Sequence, residues 1–327
     1  MIFFMLPHCV CMIDEDIITK ATDDKEEKED NTKEKDLEER SDRNEDTESF
    51  FFDQLDELKK KVPHVKEKLG WMEWERRIDG SKRMKRRRDE RHPCTKAFYK
   101  LEEMLMRFDV APFKRSLHLC EAPGSFVQAS EDYLLKRGGV DDWDWVATSL
   151  NDSIPFSSTL PKNGSFLYYD IMDSEESERV LDEKRMSSLF DFVTADGASE
   201  MDHSSLEKSH IPLLLSQTNT ALSYLIGGGT LIIKWFEGRE STTKKWMLSM
   251  TLLFDHVFVC KPKSSKLTNS ERYLVCLRRN NSPSIPLSLS YFQSHSPKEG
   301  MKECSSFITE LAKLQSESLQ IAMKETE

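Results

Sequence analysis

The sequence predicts an α/β fold built on a mostly parallel, seven-stranded sheet that ends in an antiparallel hairpin. Two observations predict this architecture. From residue 117 onward, short apolar segments typical of strands alternate with segments of helical periodicity, which favours parallel strands covered by helices on both faces. Only residues 262–270 separate the last two predicted strands. This is too short for a crossover helix, so these two strands should pair antiparallel.

The positions of the strands and helices follow from this alternation. Strands are predicted at 117–120, 143–149, 165–170, 190–195, 230–235, 255–261 and 273–278, and helices at 126–136, 175–186, 212–225 and 242–253. A parallel sheet that ends in an antiparallel hairpin is typical of the Rossmann-like fold of S-adenosylmethionine methyltransferases rather than of dehydrogenases.

The negative charge of the chain is concentrated near its N-terminus. Residues 14–48 contain 17 acidic and 7 basic side chains, a net charge of −10, whereas the whole 327-residue chain carries −11. This segment has almost no apolar residues to bury, so residues 1–49 are predicted to be a disordered acidic tail. The rest of the chain is nearly neutral and can support one catalytic domain, predicted at residues 93–280.

Helical segments are predicted on both sides of this domain. Structure should begin at Phe50 and continue as a helical extension over residues 50–92. Near its end, residues 82–91 contain seven basic and two acidic side chains. This basic cluster suits contact with phosphates or a nuclear import signal, although a solvated helix face is the simpler interpretation. Residues 281–327 are predicted to be a linker followed by a helix from Ser305.

Composition excludes several classes of protein. No run of about 18 apolar residues is present, so no membrane-spanning helix is expected. The apolar segment 1–13 lacks the basic start of a signal peptide. The seven cysteines form no C-x-x-C pair, which argues against a zinc site and against a secreted disulfide framework. We therefore expect a reduced, intracellular protein that binds no membrane.

The segment 117–126, Leu-His-Leu-Cys-Glu-Ala-Pro-Gly-Ser-Phe, joins a predicted strand to a helix through a turn of small residues. Such a turn lets backbone amides approach a polar or anionic cofactor closely. It contains one glycine, so it is not the G-x-G-x-x-G motif, and the glycines 227–229 lack the Gly-Lys-Ser/Thr of a phosphate loop. From physical reasoning alone, the segment is either a nucleotide-type site or an ordinary tight turn.

In detail, this segment resembles the cofactor loop of the FtsJ/RrmJ-type ribose 2′-O-methyltransferases, and it is most similar to the eukaryotic and viral mRNA cap methyltransferases of the cap-2 branch. Four further segments resemble motifs of that family in the same order. They are 95–101 (TKAFYKL), 191–197 (DFVTADG), 228–234 (GGTLIIK) and 261–276 (KPKSS, then NSERYLVC). The resemblance covers about residues 93–279 and implies methyl transfer from S-adenosyl-L-methionine to a ribose 2′-hydroxyl of RNA.

The resemblance assigns the family's Lys-Asp-Lys-Glu tetrad to Lys100, Asp196, Lys234 and Glu271. The positions of three of these residues support the assignment independently. Asp196 and Lys234 lie at the carboxyl ends of predicted parallel strands, the edge where open α/β sheets bind ligands. Glu271 opens the last strand and lies at the same edge if that strand is antiparallel. Lys100, taken alone on its helix, would more often be a surface lysine.

These residue types suit methylation of a ribose hydroxyl, which is a weak acid and a poor nucleophile. A neutral Lys234 amine could accept its proton, but a free lysine has a pKa of about 10.4. We expect Lys100 to lower the pKa of Lys234 towards neutrality, while Asp196 and Glu271 orient the amine and raise its pKa. Lys234 either removes the proton or mainly orients the hydroxyl. No metal is expected, because the leaving group is a neutral thioether.

The resemblance also implies which residues bind the cofactor. They are Ala122, Pro123, Gly124, Phe126, Ser149, Asp170 and Asp196. Ser149 is a substitute, with Asn151 as an alternative, because methyltransferases commonly have an acidic residue at the end of the second strand. Asp-Gly-Ala at 196–198 replaces the Asn-Pro-Pro-Tyr or Asp-Pro-Pro-Tyr motif of enzymes that methylate amino groups, which favours a hydroxyl acceptor.

Contacts with RNA, most specifically the capped 5′ end of an mRNA, are expected from two basic regions. One is the 82–91 cluster, and the other comprises Lys261, Lys263 and Lys266 in the hairpin. Trp235 and Phe236 either stack on a base or pack in the core. The basic cluster favours the nucleus over the cytoplasm, and the sequence identifies no protein partner.

Three other functions remain open from the sequence. The same tetrad could methylate internal riboses of ribosomal or transfer RNA. The domain could instead be a non-catalytic RNA-binding module that keeps the fold, although an intact tetrad argues against this. Finally, the acidic tail and terminal helix could form a scaffold that binds other proteins.

Overall fold

The computed structural model describes residues 2–6, 9–13, 37–78, 95–183, 189–198, 206–266, 268–281, 287, 288, 292 and 301–323. The strands in these ranges are β1 (Ile2–Leu6), β2 (Cys9–Ile13), β3 (Arg115–Leu119), β4 (Asp144–Ser149), β5 (Gly164–Tyr168), β6 (Phe190–Ala195), β7 (Leu225–Phe236), β8 (Phe254–Cys260) and β9 (Glu271–Arg279). The helices are α1 (Leu37–Leu69), α2 (Trp71–Ile78), α3 (Ala97–Arg107), α4 (Ser125–Lys136), α5 (Ser174–Glu183), α6 (Leu206–Tyr224), α7 (Ser241–Leu253) and α8 (Met301–Met323).

Seven strands form one sheet in the order β5-β4-β3-β6-β7-β9-β8. Neighbours from β5 to β7 are parallel, whereas β9 lies antiparallel between β7 and β8. The predicted mixed sheet and its antiparallel hairpin are therefore confirmed. Because β9 runs against the other strands, its first residue lies at the same edge as the carboxyl ends of β6 and β7. A separate antiparallel pair, β1 and β2, was not predicted.

Helices cover both faces of the sheet, and side-chain alternation along the strands divides the core in two. On one face, Phe192 and Ile232 pack with apolar residues of α3 and α4. On the other face, Val193, Ile233 and Leu274 pack with residues of α1, α5, α6, α7 and α8. Residues two positions apart on a strand share a face, so the side chain of Lys234 lies on the same face as Ile232, that of α3 and α4.

The flanking helices are longer than the sequence predicts. α1 begins at Leu37 rather than Phe50 and continues through Pro63 to Leu69, and α8 begins at Met301 rather than Ser305. Apolar residues of α1, including Phe52, are buried in the core shared with α8. Tertiary packing of this kind stabilises helices beyond what local propensity supports.

Two predicted features lie wholly or partly outside the described residues. The basic cluster 82–91 is not described, and of the predicted acidic tail 1–49 the structure describes β1, β2 and the beginning of α1. In the described part of the chain, no helix is both long and apolar enough to cross a membrane.

Candidate active site

The four residues of the predicted tetrad meet at one edge of the sheet. Asp196 directly follows β6, Lys234 lies near the end of β7 and Glu271 is the first residue of β9. Lys100 is on the first turn of α3, which packs beside α4 on the same face. This edge combines the ends of three strands with one helix, and it brings together side chains that are distant in sequence.

Lys234 and Asp196 form the first of two buried ion pairs. Lys234 Nζ lies 3.0 Å from Asp196 Oδ1, and it donates a 2.6 Å hydrogen bond to the backbone oxygen of the same residue. Tyr273 lies directly opposite Lys234 in the β7–β9 register, and its hydroxyl donates to Asp196 Oδ1 at 2.8 Å. The sequence analysis missed Tyr273. Its position two residues after Glu271, on the same face of β9, is the signal that could have found it.

Lys100 and Glu271 form the second ion pair. Lys100 Nζ lies 2.7 Å from one carboxylate oxygen of Glu271 and 2.9 Å from the other. Ser265 Oγ donates to the same carboxylate at 2.9 Å. The Lys100 ammonium is also 5.9 Å from the centre of the Tyr273 ring, a distance at which a cation is attracted to an aromatic face. Tyr273 therefore contacts both pairs, one through its hydroxyl and the other through its ring.

Neighbouring charges in the two ion pairs shift the pKa values of Lys234 and Glu271. Burial lowers the pKa of Lys234, but Asp196 and Glu271 outweigh burial, and the pKa lies above its ordinary value. Burial raises the pKa of Glu271, but Lys100 and Lys234 outweigh it and lower the pKa to about 2. The predicted lowering of the Lys234 pKa is therefore wrong for this arrangement, because the two carboxylates stabilise the ammonium more than burial destabilises it.

The predicted phosphate-binding lysines of the hairpin have different environments. Lys261 Nζ donates to the backbone oxygen of Asn269 at 2.7 Å, to its Oδ1 at 2.8 Å and to the backbone oxygen of Glu271 at 3.1 Å. Burial lowers the pKa of Lys261 to about 7, and the nearby Arg272 charge contributes. An ammonium has three donors, and here all three hold the turn before Glu271. Lys261 is therefore not placed for phosphate contact.

Lys263 and Lys266 lie nearer the surface. Lys263 is exposed, and its backbone N–H donates to the carboxylate of Glu103 on α3 at 2.8 Å. Lys266 Nζ lies 3.1 Å from the carboxylate of Glu75 on α2. These contacts fix the hairpin loop to α2 and α3, and thus to the helix that carries Lys100.

The small-residue loop between β3 and α4 lies beside the Lys234–Asp196 pair. Cys120 adopts a φ of +56° and Gly124 a φ of +110°, and the Ala122–Pro123 peptide bond is cis. A Cβ on Gly124 would overlap the end of the Leu160 side chain. Burial raises the pKa of the Cys120 thiol to about 12, and the charges of Lys234 and Asp196 also act on this pKa. The loop and the ion pair therefore belong to one site.

A buried carboxylate organises the start of α4. Glu121 accepts hydrogen bonds from the backbone N–H groups of Phe126 at 2.5 Å and Val127 at 3.3 Å. Burial raises the pKa of Glu121 well above its ordinary value, and the Asp196 charge raises it further. Two amides at the N-terminus of α4 are thus satisfied within the protein, and Ala122 and Pro123 in the loop before the helix are half-buried.

Comparison with known families agrees with this arrangement. Residues 94–279 match the model of the FtsJ-like methyltransferase family, and this match covers more than half of the chain. The chain belongs to the FtsJ-like methyltransferase family. The resemblance stated from the sequence motifs is therefore confirmed.

Several curated relatives of this FtsJ-like chain are similar over part of their length. A protein of Mus musculus named cap-specific mRNA (nucleoside-2′-O-)-methyltransferase 2 is 32% identical over 57% of this chain and 27% of its own. The protein of the same name from Drosophila melanogaster is 27% identical over 76% of this chain and 40% of its own. The chain thus spans less than half the length of these relatives.

A further relative has a name of another substrate class. This protein of Dictyostelium discoideum bears the name of a tRNA (cytidine(32)/guanosine(34)-2′-O)-methyltransferase. It is 30% identical over 53% of this chain and 61% of its own length.

The other predicted cofactor residues of this FtsJ-like chain fall into two groups. Ser149 ends β4, and its carbonyl accepts the Tyr169 N–H at 3.1 Å. Asp170 is exposed just beyond β5, so both residues lie at the same sheet edge as the tetrad. Phe126, in contrast, is fully buried in the core with α3, and its N–H is bonded to Glu121. The centre of its ring lies 6.3 Å from that of the Tyr273 ring, so the Phe126 side chain packs beside the tetrad.

Trp235 and Phe236 pack in the core, the second of the two alternatives that the sequence left open. Trp235 is fully buried, with its ring centre 6.4 Å from that of Trp246 on α7. Phe236 is also buried, and its ring meets that of His210 edge to face at 4.8 Å. Neither ring has a face available for stacking on a base.

Proposed function

We propose that this protein transfers a methyl group from S-adenosyl-L-methionine to a ribose 2′-hydroxyl of RNA, at a nucleotide near the 5′ cap of mRNA. The observation that carries the proposal is the pair of buried ion pairs, Lys234–Asp196 and Lys100–Glu271, that Tyr273 connects beside the loop at 120–124. Family membership supports the methyl transfer. The names of the mouse and fly relatives support the cap-proximal substrate.

The residues at the sheet edge suit an adenosyl cofactor. Ala122 and Pro123 are half-buried, so this part of the loop can lie against a cofactor, and Asp170 beyond β5 is exposed for hydrogen bonds. The Asp196 carboxylate, which pairs with the Lys234 ammonium, would also attract a positively charged group bound beside it. S-adenosyl-L-methionine supplies an electrophilic methyl group on a sulfonium. We assign its binding to Ala122, Pro123, Gly124, Ser149, Asp170 and Asp196.

Lys234 is the residue placed to act on the ribose hydroxyl. In the described arrangement it is an ammonium, which can donate a hydrogen bond to the hydroxyl oxygen and orient its lone pair. The pKa of Lys234 would fall when a cationic sulfonium binds nearby, because like charges disfavour the protonated amine. The amine could then accept the hydroxyl proton. Holding the reacting atoms about 3 Å apart supplies much of the acceleration.

We assign Lys100 and Glu271 the role of positioning Lys234 and the acceptor ribose. Glu271 stays ionised because its pKa is near 2, and its charge acts on Lys234 as well as on Lys100. The Lys100 side chain is 17% exposed, and we propose that its ammonium donates a hydrogen bond to the acceptor ribose. For the RNA strand we propose Lys263 and the basic cluster 82–91 as phosphate contacts. The same cluster supports a nuclear location.

The test is a single substitution with analysis of the product. Purified protein is incubated with methyl-labelled cofactor and capped RNA, and the RNA is digested to nucleosides. The wild type should give a 2′-O-methylated nucleoside next to the cap. Lys234→Ala should lower the rate about 1000-fold or more, whereas the Kd for the cofactor should change only a few-fold.

A surface lysine provides the matched control. Lys208 is 71% exposed and lies 3.8 Å from its carboxylate partner Glu240, so Lys208→Ala should keep the wild-type rate. Near-normal turnover by Lys234→Ala would contradict the mechanism. RNA binding without methyl transfer by the wild type would favour the non-catalytic module.

A second candidate is methylation of internal riboses in transfer or ribosomal RNA by the same four residues. The name of the Dictyostelium relative favours it. Capped and uncapped transcripts of one sequence, compared with a transfer RNA, separate the two candidates. Equal rates on capped and uncapped RNA would argue against cap-proximal action.

A further inference from the structure

Four charged side chains meet at the turn that follows β7. Asp56 and Lys59 come from α1, and Glu237 and Arg239 come from the turn. The Arg239 guanidinium donates to both carboxylate oxygens of Asp56, at 2.6 and 2.8 Å, and its Nε lies 2.9 Å from Glu237. Lys59 pairs with the same Glu237 carboxylate. α1 lies outside residues 94–279, so two members of this cluster come from outside the region that matches the family.

The same turn is bonded to the strand that begins with Glu271. The Glu237 N–H donates to the backbone oxygen of Ser270 at 3.3 Å. The buried Arg272 guanidinium donates to the backbone oxygens of Ser270 at 3.1 Å and Glu237 at 3.4 Å. These hydrogen bonds thus join Glu237, three residues after Lys234 on β7, to Ser270, the residue directly before Glu271 on β9.

The backbone of this turn is strained and therefore depends on its contacts. Glu237 has a φ of +46°, a left-handed conformation that a residue with a long side chain rarely adopts and that surrounding contacts must enforce. The Arg239 guanidinium also lies 4.3 Å from the centre of the Phe52 ring on α1. The described contacts that hold the Glu237 and Arg239 side chains include three residues of α1.

We propose that Asp56 and Lys59 are positioning residues, through which α1 holds the turn at 237–239 and thereby sets the separation of Lys234 and Glu271. This inference rests on the proposed function. If the ion pairs are removed, the turn can relax, and the ends of β7 and β9 move relative to each other. A displacement of about 1 Å at reacting groups costs on the order of 100-fold in rate.

The competing explanation is that the cluster only attaches α1 to the domain. The two explanations differ in what they predict for catalysis and for cofactor binding. The loop at 120–124 lies at the ends of β3 and α4 and makes none of the contacts described here. Loss of positioning should therefore lower kcat and leave the Kd for the cofactor unchanged, whereas simple loss of stability should lower the apparent kcat and weaken cofactor binding in parallel with the loss of folded protein.

The test uses the full chain and the variants Asp56→Asn, Arg239→Gln and the double variant. With cofactor at saturation, each single variant should lower kcat about 10-fold or more, with an unchanged cofactor Kd by calorimetry. The double variant should lose little more than the worse single variant, because the two residues act as one pair. Asp56→Glu, which can restore the pair, should recover part of the rate.

The control is Asp53→Asn, which makes the same change of charge at an exposed site on α1 and should leave kcat as it is. If Asp56→Asn fails to fold, Lys59→Gln tests the second ion pair with the same measurements. A kcat within about twofold of the wild type in the folded single variants would overturn the proposal, as would additive losses in the double variant.

A measurement without turnover separates this proposal from the proposed function. In protein with 13C-labelled glutamate carboxyls, the Glu271 signal is assigned by its absence in Glu271→Gln and titrated with pH. Asp56→Asn should raise the pKa of Glu271 from its low value of about 2, and Asp53→Asn should not. If Asp56→Asn shows this shift but the wild type methylates no RNA, only the proposed function is rejected. An unchanged titration in Asp56→Asn would reject the positioning role.

Discussion

Two buried glutamates lie at the same edge of the sheet, one within the proposed cofactor loop and one beside the proposed acceptor position, and the shifts of their pKa values are opposite. Glu121 accepts bonds from two backbone amides, and burial raises its pKa well above the ordinary value. For Glu271 burial acts in the same direction, but Lys100 and Lys234 outweigh it and bring the pKa to about 2. The contacts of Glu121 are thus made by backbone dipoles, whereas those of Glu271 are made by full positive charges.

The two glutamates also differ in how far apart along the sequence their contacts lie. Glu121 is five and six residues from the two amides that it binds, so a single turn of chain forms the cofactor side of the site. Lys100 and Glu271 are 171 residues apart, and only the complete sheet brings them together. The acceptor side therefore depends on tertiary structure far more than the cofactor side does, and substitutions on the two sides should behave differently.

The largest effect is expected from Glu271→Gln, which breaks the acceptor side. Lys100 would keep its charge in a largely buried place without its carboxylate. Removing one partner of such a pair costs about 3 kcal/mol of unfolding free energy. Methyl transfer should fall about 100-fold or more, and cofactor Kd should be unchanged. Urea unfolding, initial rates and calorimetry measure the three quantities.

The pH dependence of the same variant tests the cause. The pKa of Glu271 is lower in the folded protein than the value of about 4.3 for an unfolded glutamate. Its contribution to stability is therefore present above about pH 4.3 and is lost as the pH falls towards 2. Glu271→Gln should lack this part of the acid dependence, and Glu102→Gln, which breaks a more exposed pair on α3, should keep it. An unchanged acid profile in Glu271→Gln would refute the assignment.

A smaller effect is expected on the cofactor side from Gly124→Ala. Gly124 has a φ of +110°, and an added methyl would meet the end of the Leu160 side chain. We expect a loss of about 1 kcal/mol of stability and a rise of about 10-fold in cofactor Kd, with kcat at saturating cofactor within about twofold.

The control for this substitution is Gly138→Ala. Gly138 also has a positive φ, +70°, but nothing lies within 4 Å of the added methyl. It should reproduce the loss of stability without the change in affinity. An equal rise in cofactor Kd in both variants would contradict the proposal that the loop at 120–124 binds the cofactor.

The smallest effect is expected from Glu121→Gln, and its sign is opposite to that of Glu271→Gln. The pKa of Glu121 is higher in the folded protein, so its contribution to stability is greatest below the unfolded value and is lost as the pH rises through the folded value. Glutamine keeps an acceptor for both amides without a charge. The variant should unfold at a higher temperature than the wild type at pH 8. A lower unfolding temperature at that pH would contradict this interpretation.

The sequence was informative where the necessary residues are contiguous. Alternation of apolar segments located all seven strands of the sheet, and the short connection at 262–270 predicted the antiparallel hairpin. The motif at 117–126 located the loop before α4 because strand, turn and helix follow one another directly. For the same reason the family resemblance could be stated from short segments.

The sequence was less informative where a residue's role depends on which face it occupies. Phe126 and Trp235 lie next to site residues in sequence, yet their side chains point into the two cores. Tyr273 and Lys261 contact the tetrad or its turn through bonds that form only when β9 pairs with its neighbours. The pKa direction of Lys234 could not be predicted either, since it depends on the distances to two carboxylates.

The place of β9 in the sheet has a consequence for synthesis of the protein. β9 comes last along the chain among the seven strands, but it lies between two earlier strands, β7 and β8. Until the ribosome has released it, these neighbours each expose unpaired amide and carbonyl groups, which invite aggregation with other nascent chains. A product that stops before residue 271 would keep three of the four charged groups of the tetrad and would still be inert. We expect chaperones to bind this truncated product and proteases to degrade it.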